Sequence, residues 1–396
     1  MKLHYLIPVL LAAIFLGCSE TETPQPAPEE SSSAYRSEQE AMEVALTLPS
    51  IFEENESRAT KTCASVVKVA NPSRNDEKTL IYAVNYADDE GYALIPAAKN
   101  ALDVLAYVED GSYDENSTNP GLALFMDAAH SYLDALPAGT TIGTFPADRP
   151  VITTQSIMTR TYTLWGQDYP EGIYCPNGIS GCVQTAQAII LAYDRSLSSI
   201  SLTYEGKDKS TQELDWTAIN RHDQSVYNWN KTSHLSECNA NEETHKAIGR
   251  LCRQLGENNR ATYNDSSTTA VSEYGRRQLA NMLPGKVTTF TSFKKGGELY
   301  NTLKEKQCLA YMRGSRESRG GHAWVCDGGK WVHTVTNLPL IGGKTETIVE
   351  DDYYYHYNWG WCGLDNGYFA DGVFDHTKIH SRYDYNIGTE YYIVYK

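Results

Sequence analysis

The chain has 396 residues, of which 41% are hydrophobic and 21% charged, with 28 tyrosines. That length leaves room for two or three domains with sizeable cores, and that composition excludes a collagen-like, coiled-coil or wholly disordered protein. The 34 basic and 50 acidic side chains give a formal charge of −16, which argues against a nucleic-acid partner, since binding through phosphates needs a basic surface.

Residues 1–18 read MKLHYLIPVLLAAIFLGC. Lys2 supplies a positive start, an apolar run follows, and Gly17-Cys18 closes it, which is the layout of an export signal too short to span a bilayer. It resembles a bacterial lipoprotein signal, in which Cys18 is lipidated and becomes the new N-terminus. A plain cleaved signal is the rival reading. The expectation is an exported protein, lipid-anchored to the outer membrane or cell surface of a Gram-negative bacterium, with the mature part able to be released. Residues 19–33, SETETPQPAPEESSS, lack large apolar side chains and read as a disordered tether.

Charge then divides the chain. Residues 19–149 carry 8 basic and 23 acidic side chains, a balance of −15, whereas residues 150–396 carry 25 and 27, a balance of −2. In the acidic part, residues 37–48 suit a short helix. Residues 79–86 alternate like a strand, Asp88-Asp89-Glu90-Gly91 is turn chemistry, and residues 92–96 form the second arm of a hairpin. Residues 104–108 read as a third strand. Asn119-Pro120-Gly121 opens a helix with Leu122, Phe125, Met126, Ala129 and Tyr132 at helical spacing. This is a small α+β domain. Residues 137–160 show no periodicity and read as a linker, with Arg149 and Arg160 as candidate cleavage points.

After Cys182, the residues Val183, Ala186, Ile189, Ile190 and Tyr193 recur at helical spacing, so Cys182 begins a buried helix. Free N–H groups and the positive dipole end favour a thiolate there, although an isolated cysteine in that position is more often a small core residue. Three further segments change the weighing: Leu164-Trp165-Gly166-Gln167 upstream, Gly320-Gly321-His322-Ala323 at the head of an apolar strand, and His356-Tyr357-Asn358-Trp359-Gly360-Trp361-Cys362-Gly363 followed by Asn366-Gly367-Tyr368-Phe369. Thiol acyl transfer needs these types: a nucleophile, an imidazole, an amide donor for the oxyanion, and a polar group to orient the ring.

These motifs, in this order, resemble the streptopain family of bacterial cysteine peptidases, within the papain-like superfamily. The acidic N-terminal part is similar to that family's inhibitory propeptide, so the resemblance covers roughly residues 34–396. It implies an α+β fold: a papain-like two-lobed catalytic domain, one lobe helical and one an antiparallel sheet, preceded by a small α+β prodomain. The implied division is a signal at 1–18, a tether at 19–33, a propeptide at 34–155 and a catalytic domain at 156–396. Carried over, Cys182 is the nucleophile, His322 the general base and acid, and Gln167 with the Cys182 N–H the oxyanion hole. Asn358 orients His322 and Trp359 shields their contact; the sequence does not rank the two. Ser267, in the Ser-rich stretch 263–270, and the Gly321 backbone line the substrate cleft. A hydrophobic residue is implied two positions before the scissile bond. The chain departs from the family where Cys362 replaces a usual glycine, and at Gln184 and Gln187.

The implied function is a cysteine endopeptidase made as a zymogen, acting on protein or peptide substrates, with its own propeptide as intramolecular inhibitor. It needs no cofactor. The alternatives are another Cys–His hydrolase or transferase, such as a cell-wall peptidase or transglutaminase-like enzyme, and a non-catalytic surface lipoprotein. No metal is expected: the spacings of His234, Cys238, His245 and Cys252 match no compact ligand motif, and His376 and His380, although they make H-x-x-x-H, lie on a polar stretch. Nine cysteines in an exported chain suggest disulfides, and a Cys175–Cys362 bridge is one expectation.

Overall fold

The computed structural model describes residues 33–53, 60–72, 78, 80–137, 150–161, 163–202, 210–214, 216, 219, 228–229, 236–237, 242–316, 320–339, 344–374 and 388–396. The N-terminal part opens with helix α1 (Glu38–Thr47). Ser37 caps it: its hydroxyl accepts from the Glu40 N–H, and the Glu40 carboxylate accepts from the Ser37 N–H at 2.6 Å. The short α2 (Pro49–Phe52) follows. Strands β1 (Cys63–Val69), β2 (Ile81–Tyr86), β3 (Tyr92–Pro96) and β4 (Ala106–Val108) then form an antiparallel meander. The β2–β3 hairpin turns through Asp88 and Asp89, both at positive φ. Helix α3 (Pro120–Ala135) crosses next.

The second part supplies β5 (Val151–Ile157), the buried helix α4 (Cys182–Asp194), and the short hairpins β6 (Ser199–Leu202) with β7 (Ser210–Glu213) and β8 (Asn228–Trp229) with β9 (Ser236–Glu237). Helix α5 (Glu242–Asn258), the hairpin of β10 (Thr262–Asn264) and β11 (Ser267–Thr269), helix α6 (Ser272–Met282), β12 (Thr291–Ser292) and helix α7 (Glu298–Glu305) come next. The sheet is completed by β13 (Cys308–Arg316), β14 (Gly320–Pro339), β15 (Thr345–Asn358), β16 (Gly367–Ala370) and β17 (Gly388–Tyr395).

All but the three short hairpins join one eleven-stranded sheet, in the order β1-β2-β3-β4-β16-β15-β14-β13-β17-β12, with β5 on β14. The two parts of the chain are thus joined edge to edge: β4 pairs with β16 through Val108↔Gly367, Tyr107↔Tyr368 and Ala106↔Phe369. Strand alternation gives each face its own core. Leu309, Tyr311, Ala323 and Val325 face the helices α4, α5 and α6, while Ala310, Met312, Trp324 and Cys326 face the core that contains α1, α3 and the N-terminal meander. Helices α3 and α4 therefore lie on opposite faces of the same strands.

The region read as a linker is only partly one. Residues 151–157 form β5, paired along β14 from Gly329↔Ile157 to Val335↔Val151, so a division at 155 falls inside a strand. Arg160 is built into the fold rather than presented for cleavage. Its guanidinium donates to the carbonyls of Cys308 and Leu303 at 3.0 and 2.7 Å. The expected Cys175–Cys362 bridge is not formed; neither cysteine is in a disulfide, Cys175 lying beside Tyr263 and Cys362 with its sulfur over Gly166. Cys18, residues 19–32 of the tether, Arg149, His234, Cys238, His376 and His380 lie outside the described residues.

Candidate active site

Cys182 is the first residue of α4, after Gly181. Gly181 has φ +91°, and a Cβ there would meet Thr268 at 3.0 Å, so both conformation and space require glycine. No side chain caps the helix, which leaves its first N–H groups turned toward the thiol. The sulfur lies against the backbone N–H groups of Ala323, Val183 and its own residue. Ala323 follows His322 on β14, so the start of α4 meets the head of that strand.

Gln167 is nearly buried and is fixed to the same helix by two ties. Its carbonyl accepts from the Ser180 N–H at 2.7 Å, and the preceding carbonyl, of Gly166, accepts from the Thr185 hydroxyl at 2.9 Å. Thr185 also reaches Ser180 Oγ at 3.0 Å. Sequence reasoning overlooked Thr185, although its placement three residues after the cysteine, on the inner face of an apolar helix, marks a buried hydroxyl that needs partners.

His322 is 4% exposed, with Trp324 stacked 6.1 Å away. Its Nε2 lies 2.9 Å from the carbonyl oxygen of Trp359. A carbonyl only accepts, so Nε2 carries the proton and Nδ1 of the neutral ring is left with its lone pair. Asn358 does not bond the imidazole, contrary to the role carried over for it. Its Nδ2 donates to Thr163 O at 2.7 Å and Thr161 Oγ1 at 3.3 Å, and its Oδ1 accepts from the Gly360 N–H at 3.1 Å. The Trp359 carbonyl takes the orienting position instead. The Trp359 indole is fully buried, 6.4 Å from the imidazole, with Nε1 donating to Asp365 O at 2.9 Å.

Ser267 is exposed on β11; the neighbouring Thr268 is the residue packed on Gly181. Gly321 is exposed and pairs with Ser315. Gln187 bridges Gly275 O and Asn259 Nδ2, each at 2.7 Å, and so ties α4 to its neighbouring helices, while Gln184 is buried beside Gly256. Cys362 sits at φ +56°, the left-handed region that favours the glycine expected there. His245 bonds Tyr169 at 2.6 Å, and among the described residues no cluster of three or more His, Cys, Asp or Glu side chains is arranged to hold a metal.

The N-terminal domain grips this region. Gly121 packs on the Trp359 ring, and Leu124 packs on Gly314, the strand partner of His322. Asp365 accepts from Tyr92 at 2.8 Å, Asn119 at 3.1 Å and Ser117 at 3.3 Å. Lys330, 2% exposed, donates to the carbonyls of Ile51 and Phe52. His356 bonds Asp327 at 2.6 Å and Glu109 at 3.2 Å. Burial raises the Cys182 thiol above its usual range, and burial pulls His322 down to about 4 against the Trp359 bond. Burial thus works against charge on both groups.

The profile of the peptidase C10 family matches residues 163–369, and that of the Spi protease inhibitor matches residues 33–133. The thiol protease/hemagglutinin PrtT of Porphyromonas gingivalis is 22% identical over 324 residues, covering 74% of this chain but only 34% of that protein. The chain thus spans about a third of that relative's length. Streptopain of Streptococcus pyogenes is 23% identical over 312 residues, 70% of this chain and 71% of that one. A fragment of prointerpain A from Prevotella intermedia matches with a TM-score of 0.55 at 16% identity, covering 83% of this chain and 97% of that one, a likeness of fold.

Proposed function

Because the chain belongs to the peptidase C10 family, we propose that it is a zymogen whose mature part hydrolyses peptide bonds in proteins through Cys182 and His322. The observation that carries this reading is the bond from His322 Nε2 to the Trp359 carbonyl, because it frees Nδ1 to take a proton from sulfur. In the proposed reaction, Nδ1 takes the Cys182 proton and the thiolate attacks the peptide carbonyl carbon. The resulting oxyanion accepts hydrogen bonds from the Gln167 amide and the Cys182 N–H. The imidazolium then protonates the leaving amine as the C–N bond breaks. Water, deprotonated at Nδ1, attacks the thioester and releases the acid and the thiol. Ser267 and the Gly321 backbone serve as cleft residues in this reading, with streptopain-like preference for an apolar residue two positions before the scissile bond.

The domain at residues 33–133 acts as inhibitor in the same reading: its contacts with Trp359, Gly314 and Asp365 hold the pair uncharged until it is released. We further propose export and lipid anchoring at Cys18. No helix among the described residues is long and apolar enough to cross a membrane.

The experiment compares residues 19–396 with the same chain carrying Cys182→Ala, under reducing conditions, following intact mass and casein cleavage. The wild type is expected to lose its N-terminal domain and then cut casein, while the alanine form stays whole. Silence of the wild type after removal of that domain by an added protease would overturn the peptidase reading. Detergent-phase partitioning of whole-cell protein, lost on Cys18→Ser, tests the anchor.

A further inference from the structure

The hydrogen bond that orients His322 ends on a main-chain carbonyl, and a carbonyl is only as well placed as its two flanking peptides. Both are clamped by asparagine side chains. The peptide carrying the Trp359 carbonyl also carries the Gly360 N–H, which Asn358 Oδ1 holds at 3.1 Å. The preceding peptide carries the Trp359 N–H, which Asn366 Oδ1 holds at 3.0 Å. Asn366 is itself fixed by a turn, its N–H donating to Gly363 O at 3.3 Å, and it leads directly into β16. With both peptides fixed, the φ and ψ of Trp359 are fixed, and so is the direction of the oxygen that meets Nε2 at 2.9 Å.

We propose that Asn366 is a positioning residue for His322: its side-chain oxygen sets the Trp359 main chain so that the imidazole presents Nδ1 to the thiol. The inference rests on the Cys182–His322 reading above. Its chemistry is specific. The position needs an acceptor of that reach; a second donor has no part in it. Aspartate provides the acceptor, leucine fills the volume without it, and serine is too short to reach. A loss of orientation lowers the rate of acyl transfer more than it weakens substrate binding.

The test uses processed enzyme made from the full chain, freed of its N-terminal domain by a trace of active wild type. Wild type, Cys182→Ala, Asn366→Leu, Asn366→Asp and Asn366→Ser are compared for kcat and KM on one peptide substrate across pH. Asn366→Leu and Asn366→Ser should lose about tenfold or more in kcat with KM little changed, and Asn366→Asp should stay within about threefold of wild type. The acid limb of the pH profile should move in the leucine and serine forms and stay in place in the aspartate form. An unchanged kcat in either the serine or the leucine form, or equal losses in aspartate and serine, would overturn the proposal. If the leucine form does not fold, the aspartate and serine pair decides alone. An inactive wild type would instead sink the peptidase reading, so the two failures are distinguishable.

Discussion

Gly121, in the first turn of α3, lies flat against the indole of Trp359, whose carbonyl holds His322. A Cβ at that position would run into the ring, and the ring is packed from behind by Trp324, Tyr357 and Phe369. Overpacking of this kind costs about 1–3 kcal/mol, or roughly tenfold or more in an equilibrium. Gly121→Val is therefore expected to loosen the latent form and speed its conversion. Densitometry of the full-length band after addition of a trace of active enzyme measures this; a half-life equal to wild type would show that the contact is not what holds the domain.

Thr185 ties α4 to the loop of Gln167. Thr185→Val keeps the shape and removes bonds to Gly166 O and Ser180 Oγ at 2.9 and 3.0 Å. Leaving those buried groups unsatisfied should cost about 1–3 kcal/mol of stability. The displaced Gln167 should in turn lower kcat by about tenfold. Thermal unfolding and steady-state rates on the same preparation check both; a stability loss with intact kcat would separate the helix tie from the oxyanion site.

The joint at His356 gives the latent form a pH dependence. Burial opposes charge on this ring, but Asp327 and Glu109 outweigh it and raise the group from 6.5 to about 10. A histidine raised on folding is stabilised as the cation. Its contribution is complete below about pH 6.5 and fades as pH rises through about 10. The melting temperature of the Cys182→Ala full chain should fall across that interval. His356→Gln should flatten the fall; an equal slope in the variant would assign it elsewhere.

Strand β5 is expected to stay with the mature chain. Residues 151–157 ladder onto β14, and Arg160 is anchored at Cys308 and Leu303. Cutting after either would strip the catalytic sheet of a strand. N-terminal sequencing of the activated enzyme is expected to read from a residue before Val151, and Arg160→Gln should leave processing intact while lowering the melting temperature. A mature N-terminus after Ile157 would contradict this.

Local order was legible in the sequence wherever neighbours in the chain are neighbours in space. The spacing of Val183, Ala186 and Ile189 gave α4, and the turn at residues 88–91 gave the β2–β3 hairpin. The pairing of residues 106–108 with 367–369 was not legible, because the partners are some 260 positions apart and neither strand signals its mate. Nor was β5, whose residues are mostly exposed and so lack the alternation that betrays a strand. At the site, side-chain types were readable and main-chain roles were not. Asn358 carried the polarity that suits an imidazole partner, yet the oxygen that meets His322 belongs to the backbone of its neighbour, and a carbonyl has no letter in the sequence.

The ladder between β4 and β16 covers an edge that the active form must expose. Once the N-terminal domain departs, the backbone at residues 367–370 keeps β15 but loses its partners on the β4 side and becomes a raw edge, while Tyr368, Phe369 and the ammonium of Lys330 meet water for the first time. The whole chain is expected to be the more durable form, since only it keeps that edge paired. Activation on this reading trades a paired edge for an open cleft.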